Sequence, residues 1–231
     1  MISIVIGVYN EERVLPRLVD ALLKDINLKE GFEIIFVNDG SKDNTKRMIE
    51  DYRRKYPWIK LVSYERNTGL GNALKLGFRK ARGRVIVTMD ADLAHPPSMV
   101  KEMVDGLEGS DMVIGSRYVG GGVTENLPKD RDFLSRWINL LARLITRSGV
   151  RDMTSGFRAY RADIIKNMPI RETGFEVQLE ILVKLMRSGA IIKEIPLNSV
   201  DPRIRGSKFS LARDGPKYFY RMLKMMAYRW A

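Results

Sequence analysis

The stretch VIVTMDADLAHPP (85–97) ends an apolar, β-branched run with two carboxylates one residue apart, followed by a histidine and two prolines. Residues two apart in an extended chain point the same way, so Asp90 and Asp92 are expected to aim at one spot beyond a buried strand. Two acids at one spot repel unless a cation lies between them. Mg²⁺ or Mn²⁺ takes one or two carboxylates, several waters and the phosphates of a substrate, an arrangement this pair can supply. A second reading stays open: Asp92 caps a helix opening near Pro96. His95, the sole histidine, is read as structural, its hydrogen bond fixing the turn before Pro96.

Other polar residues gather in the same way. Tyr9, Asn10, Glu11, Asp39, Ser41 and Asp43 each stand just after an apolar run. Taken singly they are turn or cap residues, but together they bring polar groups to one edge. RNTGLGNA (66–73) has the look of a glycine-rich phosphate loop, although its glycines equally permit a tight strand-to-helix turn.

The elements that must position these groups follow from periodicity. ISIVIGVY (2–9), the run 32–37, IKLVSYE (59–65), 84–89 and DMVIGSRY (111–118) read as strands. Between them, Val14, Leu18, Ala21, Leu22 and Ile26 recur at helical spacing, as do Met48, Ile49 and Tyr52. NALKLGFRKA reads as a third helix stopped by Gly83, and a fourth begins at the prolines and runs through MVKEMVDGLE. Alternating strands and helices predict an α/β fold with a doubly wound parallel sheet, whose ligands sit beyond the carboxyl ends of the strands.

Composition narrows the chemistry. The 231 residues, 45% of them apolar, suffice for one domain of ordinary core size with an appendage. The net charge of +12 favours anionic partners. With no cysteine and one histidine, any metal must be held by oxygen. No apolar stretch reaches the ~18 to 20 residues of a membrane span, and no basic leader precedes the first strand, so the chain is read as intracellular. A nucleic-acid partner is not expected: no such motif is present, and the acid pair would repel phosphates without metal.

The segments VYNEE (8–12), VNDGSKDNT (37–45), TGLGNALKLGF (68–78), MDADLAHPP (89–97), GSRYVGGG (115–122), TSGFRAYR (154–161), GFEVQLEIL (174–182) and RIRGSKFS (203–210) follow one another through nearly the whole chain. In this order the sequence resembles the dolichyl-phosphate mannose synthase group of the family-two glycosyltransferases. The resemblance implies a GT-A (Rossmann-like) fold with a mostly parallel central sheet, a catalytic domain over 1–211, and a nucleotide-sugar donor beside Mg²⁺ or Mn²⁺. Its acceptor would be a dolichyl or polyprenyl phosphate.

By that resemblance, Val8, Tyr9, Glu11, Val37 and Asp39 hold the nucleoside, Asp90, Ala91 and Asp92 hold the diphosphate, and Asp90 and Asp92 hold the metal. Arg203 or Arg205 assists the leaving group, while Arg117, Arg131 and Ser135 receive the acceptor phosphate. Two positions depart from the pattern. Asn38 stands where relatives often have a second acid, and Ala94 where many carry a metal-ligating glutamine, so water must complete the shell. A phosphate monoester needs no general base, so the expected reaction is one inverting displacement, with mannose from GDP-mannose favoured. UDP-glucose or another donor, and a glycan or protein acceptor, remain the alternative. Glu176 and Glu180 are read as solvated helical acids, with Glu176 and Gln178 also placed to line the donor pocket.

Two segments suit a bilayer surface. RDFLSRWINLLARLITRSG (131–149) carries Phe133, Leu134, Trp137, Ile138, Leu141, Leu144 and Ile145 on one stripe, and the terminal extension 212–231 mixes aromatics with Lys and Arg as an amphipathic helix. Packing of the stripe against the sheet is the competing reading for each. The expected location is cytoplasmic, peripheral on the cytoplasmic face of a membrane, with a membrane-anchoring partner protein where no span is carried.

Overall fold

In chain order the elements are β1 (Ile2–Val8), α1 (Leu15–Asp25), β2 (Phe32–Asp39), α2 (Thr45–Lys55), β3 (Ile59–Tyr64), α3 (Leu70–Lys80) and β4 (Val85–Asp90). A 3₁₀ turn, Pro97–Met99, leads into α4 (Val100–Asp105), then β5 (Met112–Ser116), β6 (Val123–Glu125) and α5 (Lys129–Thr146). The remainder is β7 (Arg158–Arg161), α6 (Ala162–Ile165), α7 (Val177–Arg187), β8 (Ile192–Pro196) and β9 (Asn198–Val200). This computed structural model describes residues 1–26, 28, 31–125, 129–146, 148–200 and 220.

One seven-stranded sheet runs in the order β3-β2-β1-β4-β7-β5-β8. Strands β3, β2, β1 and β4 are parallel, as the alternation of strands and helices predicts. β7 is antiparallel to both its neighbours, β4 and β5, and β8 runs parallel to β5. A separate parallel pair, β6 with β9, completes the strands. The sheet is therefore mostly parallel, with one reversed strand in its middle.

Strands covered on both faces must be apolar at successive positions, which is why ISIVIGV reads as a continuous run. Its side chains alternate between two cores. Val5 joins Ile35, Val37, Phe78 and Leu182 on the side of α3 and α7. Ile4 and Ile6 join Ile34, Phe36, Leu15 and Leu18 on the side of α1.

Several boundaries differ from expectation. α3 ends at Lys80 with Ala81 extended (ψ 133°), before Gly83, so the helix does not stop on a left-handed glycine. The stripe on α5 divides between two directions: Ile138 and Ala142 pack on the core, whereas Trp137, Leu140 and Leu144 face outward. Packing and an exposed apolar face thus coexist on one helix. Among the described residues no helix is long and apolar enough to cross a membrane. The expected terminal helix over 212–231 lies outside the described residues except for Tyr220.

Candidate active site

The loops after β1 and β2 lock together through side chains of the sequence VYNEE and its counterpart NDGSKDNT. Asn10 Oδ1 accepts the Lys42 backbone amide at 2.7 Å, and the Asn10 backbone amide donates to Ser41 Oγ at 3.0 Å. Glu12 Oε2 accepts from the Asn44 amide and from its side chain, both at 3.0 Å, while the Glu11 amide donates to Thr45 Oγ1 at 2.7 Å. Asp43 accepts the Glu12 amide (3.2 Å) and the Thr45 amide (3.0 Å). Desolvation raises the Asp43 carboxyl, but the hydrogen bonds led by Thr45 outweigh it and hold it below the usual carboxylate range. Asn10, at φ 52°, takes the left-handed turn this arrangement requires. Asn10, Glu12, Arg13, Lys42 and Asp43 line an open cavity of about 320 Å³.

Asp39 closes the end of β2. Its Oδ1 accepts the Thr68 amide and hydroxyl, each at 2.8 Å, and its Oδ2 accepts the Gly69 amide at 2.8 Å. The Gly71 amide donates to Thr173 O at 2.8 Å. The glycine-rich turn is therefore not a phosphate loop in this chain, because these amides are already committed to protein acceptors. Its glycines serve close approach: a Cβ on Gly69 or Gly71 would lie 2.2 Å from the carbonyl oxygen of Thr173 or Glu172. The 172–174 segment that presses there is itself held by Glu180, whose carboxylate accepts the Arg171 and Glu172 amides at 2.7 to 3.0 Å and pairs with Lys184 at 2.6 Å. Glu180 is buried, so the expected solvated acid is a loop anchor. Gln178 is buried as well, with its Oε1 unpartnered.

Asp90 is the last residue of β4, and the strand stops there. Asp92 lies in a turn that continues through Leu93 at φ 67°, so the two acids meet through a bend rather than through strand alternation. Asp92 caps no helix: its Oδ1 accepts the Ala94 amide at 3.0 Å, within the turn. His95 Nδ1 accepts the Asp90 amide at 3.1 Å, and Nε2 stands 3.8 Å from Asp90 Oδ2. The ring stacks on Phe157 at 5.2 Å, so the histidine fixes the turn as its sequence position suggested. Desolvation by surrounding protein pushes the Asp90 carboxyl up, His95 draws it back, and the neighbouring charge of Asp92 adds to the rise. Ala91 between them is buried in the α1-side core.

Arg117 leaves the end of β5 and meets Asp152 at two points, Nε to Oδ2 at 2.7 Å and Nη2 to Oδ1 at 2.8 Å. Nη2 also reaches Thr154 Oγ1 at 2.9 Å. Asn139 of α5 joins this group, accepting the Met153 amide at 2.7 Å and donating to Thr154 Oγ1 at 3.2 Å. Ser135 of α5 shares a 2.7 Å hydrogen bond with the Tyr118 hydroxyl. The backbone of Arg131 belongs to α5, and Arg203 lies outside the described residues.

Thus Glu11, Asp39, Asp90 and Asp92 stand at the ends of β1, β2 and β4, on one edge of the sheet, with Arg117 at the end of β5. Tyr9 is half-buried there. Val8 and Val37 differ in that their side chains are buried in the two cores. Residues 3–168 match the model of glycosyl transferase family 2. The chain belongs to that family. It is 33% identical over 232 residues to a dolichol-phosphate mannosyltransferase of Pyrococcus furiosus, a match covering 96% of this chain and 64% of the relative. It thus spans less than two thirds of that relative's length. It is 32% identical to an undecaprenyl-phosphate mannosyltransferase of Micrococcus luteus, over 89% of this chain and 86% of the relative. In fold it is similar to glucosyl-3-phosphoglycerate synthase of Mycobacterium tuberculosis, solved with Mn²⁺, UDP-glucose and phosphoglyceric acid. That similarity has a TM-score of 0.74 at 19% identity, over 98% of this chain and 79% of the other. The GT-A expectation for a family 2 glycosyltransferase therefore holds.

The acid pair fits a divalent ion chemically. The charge of Asp92 adds to the proton affinity of Asp90, the mark of an acid pair that favours a cation, and the pair leaves places for water and diphosphate oxygens. Among the described residues no group of three or more acids or histidines is placed to hold a metal ion. Sequence reasoning missed Asp152, Asn139 and Arg158. Arg158 is fully buried, donating to Gln178 O at 2.5 Å and Met153 O at 2.8 Å. The TSGFR segment was visible in the sequence, but its buried arginine has carbonyl partners that only the tertiary fold supplies.

Proposed function

We propose that this family 2 protein transfers a hexose, with mannose from GDP-mannose the favoured donor, onto dolichyl or polyprenyl phosphate with inversion at the anomeric carbon. The observation that carries this reading is the pairing of Asp90 and Asp92 at one sheet edge with an arginine-bearing wall built from β5 and α5. The names of the relatives supply the lipid phosphate and the mannose.

Asp90 and Asp92 would hold Mg²⁺ or Mn²⁺ together with the donor diphosphate. Held there, such an ion would supply positive charge against the negative charge that grows on the leaving diphosphate. Glu11 and Asp39 order the loops that flank the nucleoside. Asp39 does so by holding the Thr68–Gly69 turn, which leaves a nucleoside contact to its remaining acceptor capacity. His95 keeps Asp90 at the strand mouth. The acceptor phosphate is already an anion, so no protein group needs to remove a proton from it. Cationic and hydroxyl side chains on the α5 side need only place it in line with the sugar. Trp137, Leu140 and Leu144, exposed on α5, lie along the surface where the lipid would arrive, which suits a peripheral place on the cytoplasmic face. A membrane-anchoring partner protein belongs to the same reading.

The test is transfer of labelled sugar into an organic phase, with purified protein, a polyprenyl phosphate, Mn²⁺ or Mg²⁺, and GDP-mannose or UDP-glucose in separate reactions. Label from GDP-mannose with both metal and lipid phosphate required is the expected result. Label from UDP-glucose alone would replace the donor, and transfer without a lipid phosphate would replace the acceptor.

A further inference from the structure

Arg158 opens β7, is fully buried, and has two backbone carbonyls as its direct partners among the described residues. A guanidinium removed from water carries a desolvation cost that packing alone does not offset. Its Nη2 reaches back along its own chain to Met153 O at 2.8 Å, and its Nη1 crosses to Gln178 O, in the first turn of α7, at 2.5 Å. One planar fork therefore joins two separate segments.

The first of these, 153–157, is tied a second time. Thr88 of β4, which pairs with Arg158 across the ladder, donates from Oγ1 to Gly156 O at 2.9 Å. The two ties close the segment over the mouth of β4. There the Gly156 backbone lies against the Asp90 carboxylate, so closely that a Cβ on Gly156 would stand 2.9 Å from Oδ2. Asp90 is two residues beyond Thr88 and shares its face of the sheet, the side of α3 and α7, where Ile86 and Tyr160 are buried. His95 holds the Asp90 amide but stands 3.8 Å from the carboxylate, so it does not fix the side chain from its own side. The second segment opens α7 directly after the 172–174 stretch that presses on Gly69 and Gly71. The fork thus fastens the bed of Asp90 to the wall beside the turn that Asp39 holds.

We propose that Arg158 is a positioning residue for the metal-dependent donor site: with Thr88 it closes segment 153–157, and the Gly156 backbone then sets the direction of the Asp90 carboxylate. The proposal rests on the reading of Asp90 and Asp92 as holders of a divalent ion with a diphosphate, and it concerns the donor side alone. Lysine at this position keeps the charge but replaces the planar fork by a single ammonium. Arg158→Lys therefore reports geometry, whereas removing the charge would by itself favour a cation at Asp90 and mask the effect.

The probes are GDP and UDP, each with and without Mn²⁺, titrated calorimetrically into the whole chain at a temperature where circular dichroism shows each variant folded. Arg158→Lys should weaken Mn²⁺-dependent nucleotide binding about 10-fold or more, the usual effect of losing support behind a metal ligand, and leave metal-free binding within about 2-fold. Thr88→Val, which removes the hydroxyl and keeps a branched strand residue, should weaken the Mn²⁺-dependent binding about 3- to 10-fold. Thr88→Ser, which keeps the hydroxyl, should bind as wild type does. Should Arg158→Lys fail to fold, the Thr88 pair decides. A lowered melting temperature with metal-dependent affinity unchanged would make both residues supports of the fold only and overturn the proposal, as would an equal loss with and without Mn²⁺. The same dependence on Arg158 and Thr88 seen with UDP but not GDP would support the positioning role and replace the donor. Wild-type protein that binds neither nucleotide more tightly with Mn²⁺ would overturn the metal reading, and this proposal with it.

Discussion

Arg117 and Asp152 face each other as a two-point ion pair, with N–H···O distances of 2.7 and 2.8 Å and no exposed surface on the aspartate. Removing the cation would leave a buried carboxylate with little compensation. Arg117→Ala is expected to destabilise the fold by about 3 to 5 kcal/mol, because breaking a buried pair costs far more than the pair contributes. Urea unfolding measures this. An unchanged midpoint, with acceptor KM raised and donor KM intact, would instead make Arg117 a phosphate ligand.

The same pair sets a pH response. Desolvation alone would raise the Asp152 carboxyl, but Arg117, by charge and by hydrogen bonds, outweighs it and holds the group below its ordinary value of 3.8. A depressed folded pKa means that the contribution is complete above about pH 4 to 5 and is lost as pH falls through the folded value. The stability gap between wild type and Asp152→Asn should therefore be constant from neutral pH down to about pH 5 and narrow below pH 3.8. A gap that widens on acidification would reverse the sign of the assignment.

Asp90→Asn and Asp92→Asn are expected to lower transfer by at least about 10³-fold, since each removes a carboxylate from a two-carboxylate site. Asp90→Asn should leave the melting temperature of the metal-free protein unchanged or higher, because it deletes a charge that desolvation and Asp92 both oppose. Calorimetry beside the transfer assay separates the two effects. Loss of activity that merely follows loss of fold would contradict them.

Gly156→Ala probes the same carboxylate from behind. A Cβ there would stand 2.9 Å from Asp90 Oδ2 and 3.0 Å from Oδ1, closer than ordinary contact. The carboxylate is at the end of a side chain that is 44% exposed, so it can swing away at little cost to the fold. Displacement of the acid by about 1 Å should lower turnover by roughly 10²-fold with a melting temperature near that of wild type. Full activity would show that Asp90 does not need its present position.

Glu180→Gln should cost about 2 to 3 kcal/mol, because an amide NH₂ would face the Arg171 or Glu172 N–H that a carboxylate now accepts. The loosened 172–174 segment presses on the start of α3, so the donor KM should rise more than the acceptor KM. Equal change in both would separate this loop from the donor side.

The parallel half of the sheet was legible because buried strands announce themselves as apolar runs that end at polar turns, as ISIVIGV and VIVTMD do. The acid pair was legible too, although its convergence comes from the bend at Leu93 rather than from strand alternation. β7 was not. Its four residues, RAYR, include two arginines, and nothing local shows that Arg158 is buried against two carbonyls while Arg161 pairs with Asp163 at the surface. Asp152 and Asn139 were equally opaque, since their partners lie 35 and 14 residues away. Glycines 69 and 71 looked like anion-binding residues because close approach to a backbone and close approach to a phosphate require the same missing side chain.

The reversed strand β7 also orders the assembly of the molecule. β4 and β5 are near in sequence but never pair as strands; each waits for β7, where Thr88 of β4 and Ile114 of β5 both pair with Arg158. Until residues 158–161 arrive, β4 is an open edge with unpaired amides and carbonyls, the kind of surface on which chains aggregate. The long excursion that carries α5 must therefore be accommodated before the sheet can close. A nascent chain that stops short of residue 158 would display the acid pair on an unfinished sheet, sticky at the very border where the acceptor side should join.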